Sequence, residues 1–103
     1  MNTTLQDNIR WARLNEQSTL SYHFADALRL IMPGLPRRIE AARFAPFFGL
    51  PEPEEGEEEA TWGLIIERAK ALVESVEYQS KLPEGVSAHW TGDPESEVEF
   101  NLA

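Results

Sequence analysis

The sequence predicts an α+β fold, with three to four helices followed by a C-terminal β-hairpin packed on the helices. Apolar residues recur every three or four positions before Leu82 and every second position after Gly85, which indicates helices first and strands afterwards. A lone two-stranded ribbon is marginal in water, so the hairpin must pack on the helices or have its edge completed by another chain. The chain has 103 residues and 42% hydrophobic content, and we expect residues 1–103 to form a single domain.

The first helix is predicted to begin at a capping box, in which a threonine oxygen accepts from a free amide and the residue three positions on reaches back. Two pairs fit this pattern, Thr3 with Gln6 and Thr4 with Asp7. Three apolar residues then share one face, namely Leu5, Ile9 and Ala12. The polar run that starts at Asn15 predicts the end of this helix, and one continuous helix over residues 4–31 is the alternative.

A second helix is predicted from Ser18, which can cap it, to the helix breaker Pro33. Its expected buried face consists of Leu20, Phe24, Leu28 and Ile31. Pro36 suits the first turn of a helix, so a short third helix is expected over residues 37–44.

Residues 46–59 combine three prolines with six glutamates and predict an extended acidic loop that joins the N-terminal helices to the main helix. Three apolar side chains lie near its start: Phe47, Phe48 and Leu50. We expect them to anchor the loop to the core of the same molecule, because such residues more often pack on their own core than wait for a partner.

The strongest helix is predicted over residues 60–79, before the breaker Pro83. Its apolar stripe has a period of 3.6 and comprises Trp62, Ile65, Ile66, Ala69, Leu72, Val73 and Val76. Residues 57–59 are glutamates at its N-terminal end, where the helix dipole favours negative charge. This acidic run therefore has a structural explanation that needs no ligand.

Two strands follow, because apolar and polar residues alternate over residues 86–90 and 98–102. Residues 91–96 supply the turn between them. If Val98 and Phe100 face the core, the glutamates between and before them face outward, about 7 Å apart along the strand. Such a ladder of like charges protects an edge strand from aggregation, or it imitates the spaced charges of a nucleic-acid backbone.

The net charge of −9 is distributed unevenly. Residues 1–43 carry six arginines against four acids, a net of +2, whereas residues 44–103 carry three bases against fourteen acids, a net of −11. A field of that sign repels nucleic acid and membranes and favours a basic partner, although it also serves solubility. The chain shows no basic and apolar leader pattern and no run of about 20 apolar residues, so we expect a cytoplasmic protein without membrane contact.

The sequence offers no catalytic pattern, and we expect no enzymatic activity and no cofactor. It has no cysteine, which excludes disulfides, thiolate metal sites and cysteine nucleophiles. His23 and Asp26 lie three residues apart, but as metal ligands they would be two short of a site. The glycines are scattered and form no phosphate-binding loop. A small-molecule-binding or catalytic helical domain is the least favoured interpretation.

We predict a small acidic interaction module that binds a basic protein surface, or the nucleic-acid-binding groove of a protein, and inhibits or neutralises that partner. By size and charge it is similar in type to phage proteins that act against host defence enzymes, anti-CRISPR proteins among them, and to immunity proteins. The predicted partner-binding residues are Glu54, Glu55, Glu57, Glu58, Glu95, Glu97 and Glu99.

The alternative is an antitoxin-like or regulatory protein that places arginine-rich N-terminal helices on DNA and the acidic half on a protein. The residues of this alternative basic patch are Arg10, Trp11, Arg13, Arg37, Arg38 and Arg43. We favour a different interpretation, in which these arginines face the acidic loop and hairpin of the same molecule. Direct binding of nucleic acid is therefore not expected. Pairing between copies, basic end to acidic end, is a third alternative.

Overall fold

The computed structural model describes residues 4–91 and 96–103 and confirms a mixed α+β fold, in which helices accompany a three-stranded antiparallel sheet. None of the helices in these ranges is long and apolar enough to cross a membrane. The elements, in chain order, are α1 (Leu5–Leu14), β1 (Thr19–His23), α2 (Phe24–Ile31), α3 (Ala41–Phe44), a 3-10 turn (Ala45–Phe48), α4 (Glu58–Val73), α5 (Val76–Ser80), β2 (Val86–Thr91) and β3 (Glu97–Leu102).

Helix α1 begins and ends as the sequence predicts. Thr4 is its N-cap and forms the capping box with Asp7, and hydrogen bonds from the side chain and backbone of Thr4 lower the pKa of Asp7. The other predicted cap, Thr3, lies outside the described residues. The C-cap is Asn15, and Glu16 then adopts a left-handed conformation with φ of 59°. The chain leaves the helix there, so the alternative of one continuous helix is wrong.

The prediction of a helix beginning at Ser18 is wrong, because residues 19–23 form strand β1 and the helix begins only at Phe24. Leu20 and Tyr22 are half-buried, whereas their neighbours in the strand are exposed, which is the alternation of a strand. His23 ends the strand and caps α2, since its Nδ1 accepts a hydrogen bond from the backbone N–H of Ala25 at 3.3 Å.

The sheet has the strand order β1-β3-β2, so β3 is central and both its neighbours run antiparallel to it. The two strands of the predicted hairpin are present as β2 and β3, and the N-terminal strand β1 completes the edge of β3. Most of the predicted turn lies outside the described residues. On one face of the sheet, Ala88, Val98 and Phe100 are buried in the same core as the helices.

The third helix is shorter than predicted, because residues 37–40 are not helical and α3 begins at Ala41. Arg29 holds the preceding segment, since its guanidinium donates to the backbone oxygen of Pro36 at 2.8 Å. Glu40 then has extended backbone angles. Pro46 does not end the helical segment but lies in the first positions of the following 3-10 turn, where a missing N–H costs nothing.

The predicted main helix is divided into two, α4 and α5. Ser75 interrupts it with an extended conformation, and its Oγ accepts from the backbone N–H of Tyr78 at 3.1 Å, as a new N-cap. Beyond this break the apolar stripe no longer faces the core, and Val76 is 86% exposed. Before the break the prediction holds, since Ile65, Ala69 and Val73 are fully buried.

The acidic loop is anchored to the core through two of the three predicted side chains. Phe48 and Leu50 are buried, whereas Phe47 is 40% exposed. Arg68 on α4 donates to the backbone oxygen of Phe48 at 2.6 Å and so fixes the start of the loop to the helix. Gly49, with φ of 69°, ends the 3-10 turn in a left-handed conformation that glycine adopts without strain.

Candidate partner-binding surface

The predicted acidic residues of the loop lie at the start of α4 and are exposed. Glu57 is the N-cap residue, and its Oε1 accepts a hydrogen bond from the backbone N–H of Glu54 at 3.2 Å. Glu58 and Glu59 occupy the first turn of the helix, as the sequence predicts, where the helix dipole stabilises negative charge. Glu55 is exposed between them and the prolines. The helix dipole therefore explains why some of these glutamates lie at the start of α4, but it does not neutralise their charge.

Glu97 and Glu99 lie on the central strand β3, and Glu95 lies outside the described residues. Across the sheet, Glu97 pairs in register with His23 of β1 and Thr91 of β2. The interpretation that this ladder protects a sheet edge is wrong, because β3 has a hydrogen-bonded neighbour on each side. The carboxylates lie instead on the central strand of an open face, with Glu97 at the end of that strand.

This open face of the sheet is polar throughout the described strands. It is the face opposite the core, and register places three residues from each strand on it: Thr19, Ser21, His23, Ser87, His89, Thr91, Glu97, Glu99 and Asn101. Hydroxyl, amide and imidazole groups therefore flank the two carboxylates of the central strand. The surface is suited to polar recognition rather than to apolar packing.

The same face does not assemble a hydrolytic triad. Ser21, Glu99 and His89 lie side by side on three adjacent strands, with the carboxylate in the middle. Because strands are about 4.8 Å apart, the serine and the histidine are separated by about 10 Å, too far for direct proton transfer. Within residues 4–91 and 96–103, no group of three acidic or histidine side chains is placed to hold a metal ion.

A cavity of about 470 Å³ opens at the end of the sheet where Glu97 begins β3. Its polar side is formed by His23, Ser96 and Glu97. Its apolar side is formed by Phe24, Ile39, Trp62 and Ile66. This volume lies in the range of sites that take small organic groups.

The apolar wall belongs to a continuous chain of aromatic rings. Phe24 contacts Trp62 edge to face, with 6.1 Å between ring centroids, and Trp90 at 5.6 Å. Trp62 also contacts Phe44 at 5.5 Å, which ties the wall to α3. Lys70 places its ammonium 5.7 Å from the centroid of Trp90, so this aromatic chain already carries one cation of its own.

Glu97 lines this cavity, and the acidic segment at the start of α4 ends one helical turn before the lining residue Trp62. Glu58 precedes Trp62 by one helical turn and shares its face, because residues four apart on a helix are neighbours. Glu97 forms part of the opposite, polar side. We call Glu54, Glu55, Glu57, Glu58, Glu97 and Glu99 the acidic surface.

The ion pairs of the described residues are local and leave the acidic surface without a cation. Arg29 pairs with Asp26, and Lys81 lies 3.9 Å from Glu77. Two arginines of the predicted basic patch pair with Glu40, Arg38 at 2.7 Å and Arg43 at 3.5 Å. No ion pair within residues 4–91 and 96–103 joins these arginines to the acidic loop or the hairpin, and the interpretation that they face these segments stays a prediction.

The remaining residues of the predicted basic patch are exposed but lie on different elements. Arg10, Trp11 and Arg13 are on α1, where the two arginines line a shallow groove with Leu14. Arg37 is exposed in the extended segment before α3. Helix α1 contacts β1, whereas α3 packs on α4, so the two groups have different neighbours in the fold.

Sequence reasoning missed the cavity, because two of its walls depend on contacts between distant segments. Trp62 was assigned to the core stripe and is in fact half-buried, and Ile39 is 47% exposed. The usable signal was the alternation over residues 19–23, which would have placed His23 at a strand end beside β3.

No family model matches the chain, and comparisons with curated proteins and with solved structures gave no match either.

Proposed function

We propose that this protein is a small, non-enzymatic interaction module that binds a basic protein surface through the acidic surface and so inhibits or neutralises its partner. One observation carries the proposal. Glu97 of strand β3 lines the aromatic cavity, Glu58 lies one helical turn before the lining residue Trp62, and neither has an ion-pair partner among the described residues.

The energetics of this arrangement favour a binding role over a purely solubilising one. Like charges on neighbouring strand positions and in one helical turn repel each other, and a cation within the molecule would relieve that repulsion. The three arginines that form ion pairs among the described residues do so with Asp26 and Glu40. A basic partner would therefore gain attraction to unpaired carboxylates and remove their mutual repulsion at the same time.

The spacing of the carboxylates also supports mimicry of nucleic acid. Glu97 and Glu99 lie on one face of a strand, about 7 Å apart, and they are held there by a strand on each side. Fixed, regularly spaced negative charges are what a phosphate-binding groove recognises without reading sequence. Such a groove on a cytoplasmic enzyme is the partner that we favour.

Affinity capture from a lysate of the native host tests the proposal with two charge-matched variants. In the first, Glu54, Glu55, Glu58 and Glu97 are changed to Gln. In the second, four exposed glutamates outside the acidic surface are changed to Gln: Glu16, Glu67, Glu74 and Glu84. We expect a basic protein to be retained by the wild type and by the second variant but not by the first. Glu57 is left intact because its carboxylate accepts from the backbone N–H of Glu54.

The captured partner is then used to measure association rates at low and high salt. Charge complementarity acts mainly on association, so the first variant should associate about tenfold more slowly at low salt and show a weaker salt dependence. If both variants lose the partner equally, attraction to net charge alone explains capture and the proposed surface is wrong. If no protein distinguishes the wild type from the first variant, the proposed function is wrong.

A further inference from the structure

We propose that the aromatic cavity receives an arginine side chain of the partner, with the guanidinium against Trp62 and its charge paired with Glu97. This inference rests on the proposed function and names the anchor of that interaction. It requires a site that is apolar on one side and anionic on the other. The cavity has that division, with Phe24, Ile39, Trp62 and Ile66 on one side and His23, Ser96 and Glu97 on the other.

The apolar side matches the chemistry of arginine better than that of lysine. A guanidinium is planar and weakly hydrated, and it stacks on aromatic rings, whereas an ammonium is compact and keeps its water more strongly. The three-carbon stem can lie along Ile39 and Ile66, which line the cavity and are partly exposed. Burying these surfaces against an apolar stem removes them from water.

The polar side supplies the charge. Glu97 has no cation within 4.0 Å among the described residues, and its register neighbour Thr91 donates its hydroxyl to the backbone oxygen of Glu97 rather than to the carboxylate. His23 uses Nδ1 to accept from the N–H of Ala25. The Glu97 carboxylate can therefore accept two parallel hydrogen bonds from two N–H groups of one guanidinium.

The molecule itself shows that these aromatic rings accept a cation. Lys70 lies over Trp90, which contacts Phe24, which in turn contacts Trp62. Trp62 is thus the next indole along the same chain of rings, and it lies on the side where a cavity admits a group from outside. Tryptophan is the aromatic side chain that binds cations most strongly.

The test is titration of the isolated protein with N-acetyl-arginine amide, followed by NMR at the three tryptophan indole N–H groups. We expect the Trp62 signal to shift with a dissociation constant on the order of 1–10 mM, as suits a single side chain. The signal of Trp11, which is 54% exposed on α1, should stay unchanged. A shift of this signal would indicate non-specific stacking on exposed indoles. N-acetyl-citrulline amide has the same shape without the charge and should bind at least about fivefold more weakly.

Two variants each remove one negative charge from strand β3. Glu97→Gln should weaken binding about three- to tenfold, whereas Glu99→Gln, two residues away and outside the cavity lining, should leave it unchanged. Preserved chemical shifts elsewhere show that each variant is folded. The inference is wrong if the two variants behave alike, if citrulline binds as well as arginine, or if Trp62 does not respond.

Free arginine distinguishes a partner side chain from a small-molecule ligand. Its α-amino and carboxylate groups are absent from an arginine within a protein, so it should bind no more tightly than the blocked derivative. Binding about tenfold tighter would make the cavity a receptor for the free molecule and overturn the inference. None of these measurements uses the partner. A negative result would therefore overturn the arginine site alone, and the capture experiment would still decide the proposed function.

Discussion

The hydroxyl of Tyr78 is a polar group buried in the core. Tyr78 is 2% exposed and donates to the backbone oxygen of Ala27 at 3.3 Å, which joins α5 to α2. Burial raises the pKa of Tyr78 to about 12, because the phenolate would lose its hydration. Burial also raises the pKa of Tyr22, although a hydrogen bond with Asn8 opposes the shift.

Stability is therefore expected to fall as the pH rises between 10 and 12. The folded-state pKa of Tyr78 lies above its unfolded value, so its contribution is fully present below pH 10 and disappears as pH approaches the folded value. The two-unit difference corresponds to roughly 2–3 kcal/mol. Denaturant unfolding at pH 9, 10, 11 and 12 measures it. Tyr78→Phe should flatten most of this decline, and Tyr22→Phe should not; the opposite ranking would contradict the assignment.

Two adjacent aliphatic residues of α4 differ in burial and so test how much burial contributes to stability. Ile65 is fully buried, whereas Leu64 is 47% exposed. Ile65→Ala should lower the free energy of unfolding by about 2–5 kcal/mol through lost burial and a residual cavity, and Leu64→Ala by less than about 1 kcal/mol. Urea unfolding of both variants checks this. Equal losses would mean that the buried face of α4 has been assigned wrongly.

At the scale of elements, a single side chain covers the outer edge of strand β2 at Ala88. Gln79 on α5 accepts from the N–H of Ala88 at 3.2 Å and donates to the oxygens of Ala88 and Val73 at 3.0 and 2.6 Å. Its amide thus continues the hydrogen bonding of the strand. An open edge is a template for another strand, and this contact removes that template at Ala88.

Replacing this amide tests the role directly. Gln79→Leu should cost about 1–3 kcal/mol, because the backbone groups of Ala88 lose their partners while the side-chain volume is roughly kept. The amide of Ala88 should also exchange with solvent faster by hydrogen-exchange NMR. Ser80→Ala is the control, because the Ser80 hydroxyl donates only to the exposed oxygen of Glu77. Undiminished protection of Ala88 in the leucine variant would show that the edge is closed by other contacts.

The sequence predicted the elements whose pattern is local and failed where a distant contact decides. The capping box at Thr4 and the alternation in β2 and β3 need no tertiary partner, and both predictions were correct. Strand β1 was assigned to a helix because Leu20 also fits the helical spacing of Phe24, and only pairing with β3 decides between the two periods. The extended segment before α3 depends on Arg29, seven residues from Pro36.

The acidic surface was predictable in residue type but not in arrangement. Glutamates are rarely buried, so the exposure of Glu54 and Glu58 could be predicted from sequence alone. The position of Glu97 in the same cavity as Trp62 could not be predicted, because it follows from the central place of β3 and from the packing of α4 at the sheet end. The cavity exists only where these two elements and the start of α2 meet.

At the scale of the whole molecule, exposed arginines on α1 and before α3 raise the question of DNA binding. We expect none in ~150 mM salt at sub-micromolar protein, because residues 44–103 carry a net −11 and repel phosphate. An electrophoretic mobility shift with duplex DNA measures it. A shift that Arg37→Glu with Arg38→Glu abolishes would promote the alternative function.

Charge repulsion across the whole molecule also predicts how stability depends on salt. The net charge is −9 on a body with principal extents of 47 × 29 × 24 Å, and the Debye length falls from about 30 Å at 0.01 M to about 8 Å at 0.15 M. At low salt each carboxylate therefore feels most of the others, and at physiological salt only its neighbours. The folded state holds these charges closer together than the unfolded chain does, so screening should stabilise it.

We expect the free energy of unfolding to rise by on the order of 1 kcal/mol between 0.01 and 0.15 M NaCl, since like-charge neighbours each cost a few tenths. Chloride is preferred to sulfate, because sulfate also strengthens burial of apolar surface. Changing Glu54, Glu55, Glu58 and Glu97 to Gln should reduce this rise more than changing Glu16, Glu67, Glu74 and Glu84, although both remove four charges. The reason is proximity: Glu54, Glu55 and Glu58 are close together in the chain at the start of α4, whereas the second four are spread from residue 16 to residue 84. A free energy that falls with added salt would mean instead that the local ion pairs, such as Arg38 with Glu40, outweigh the repulsion.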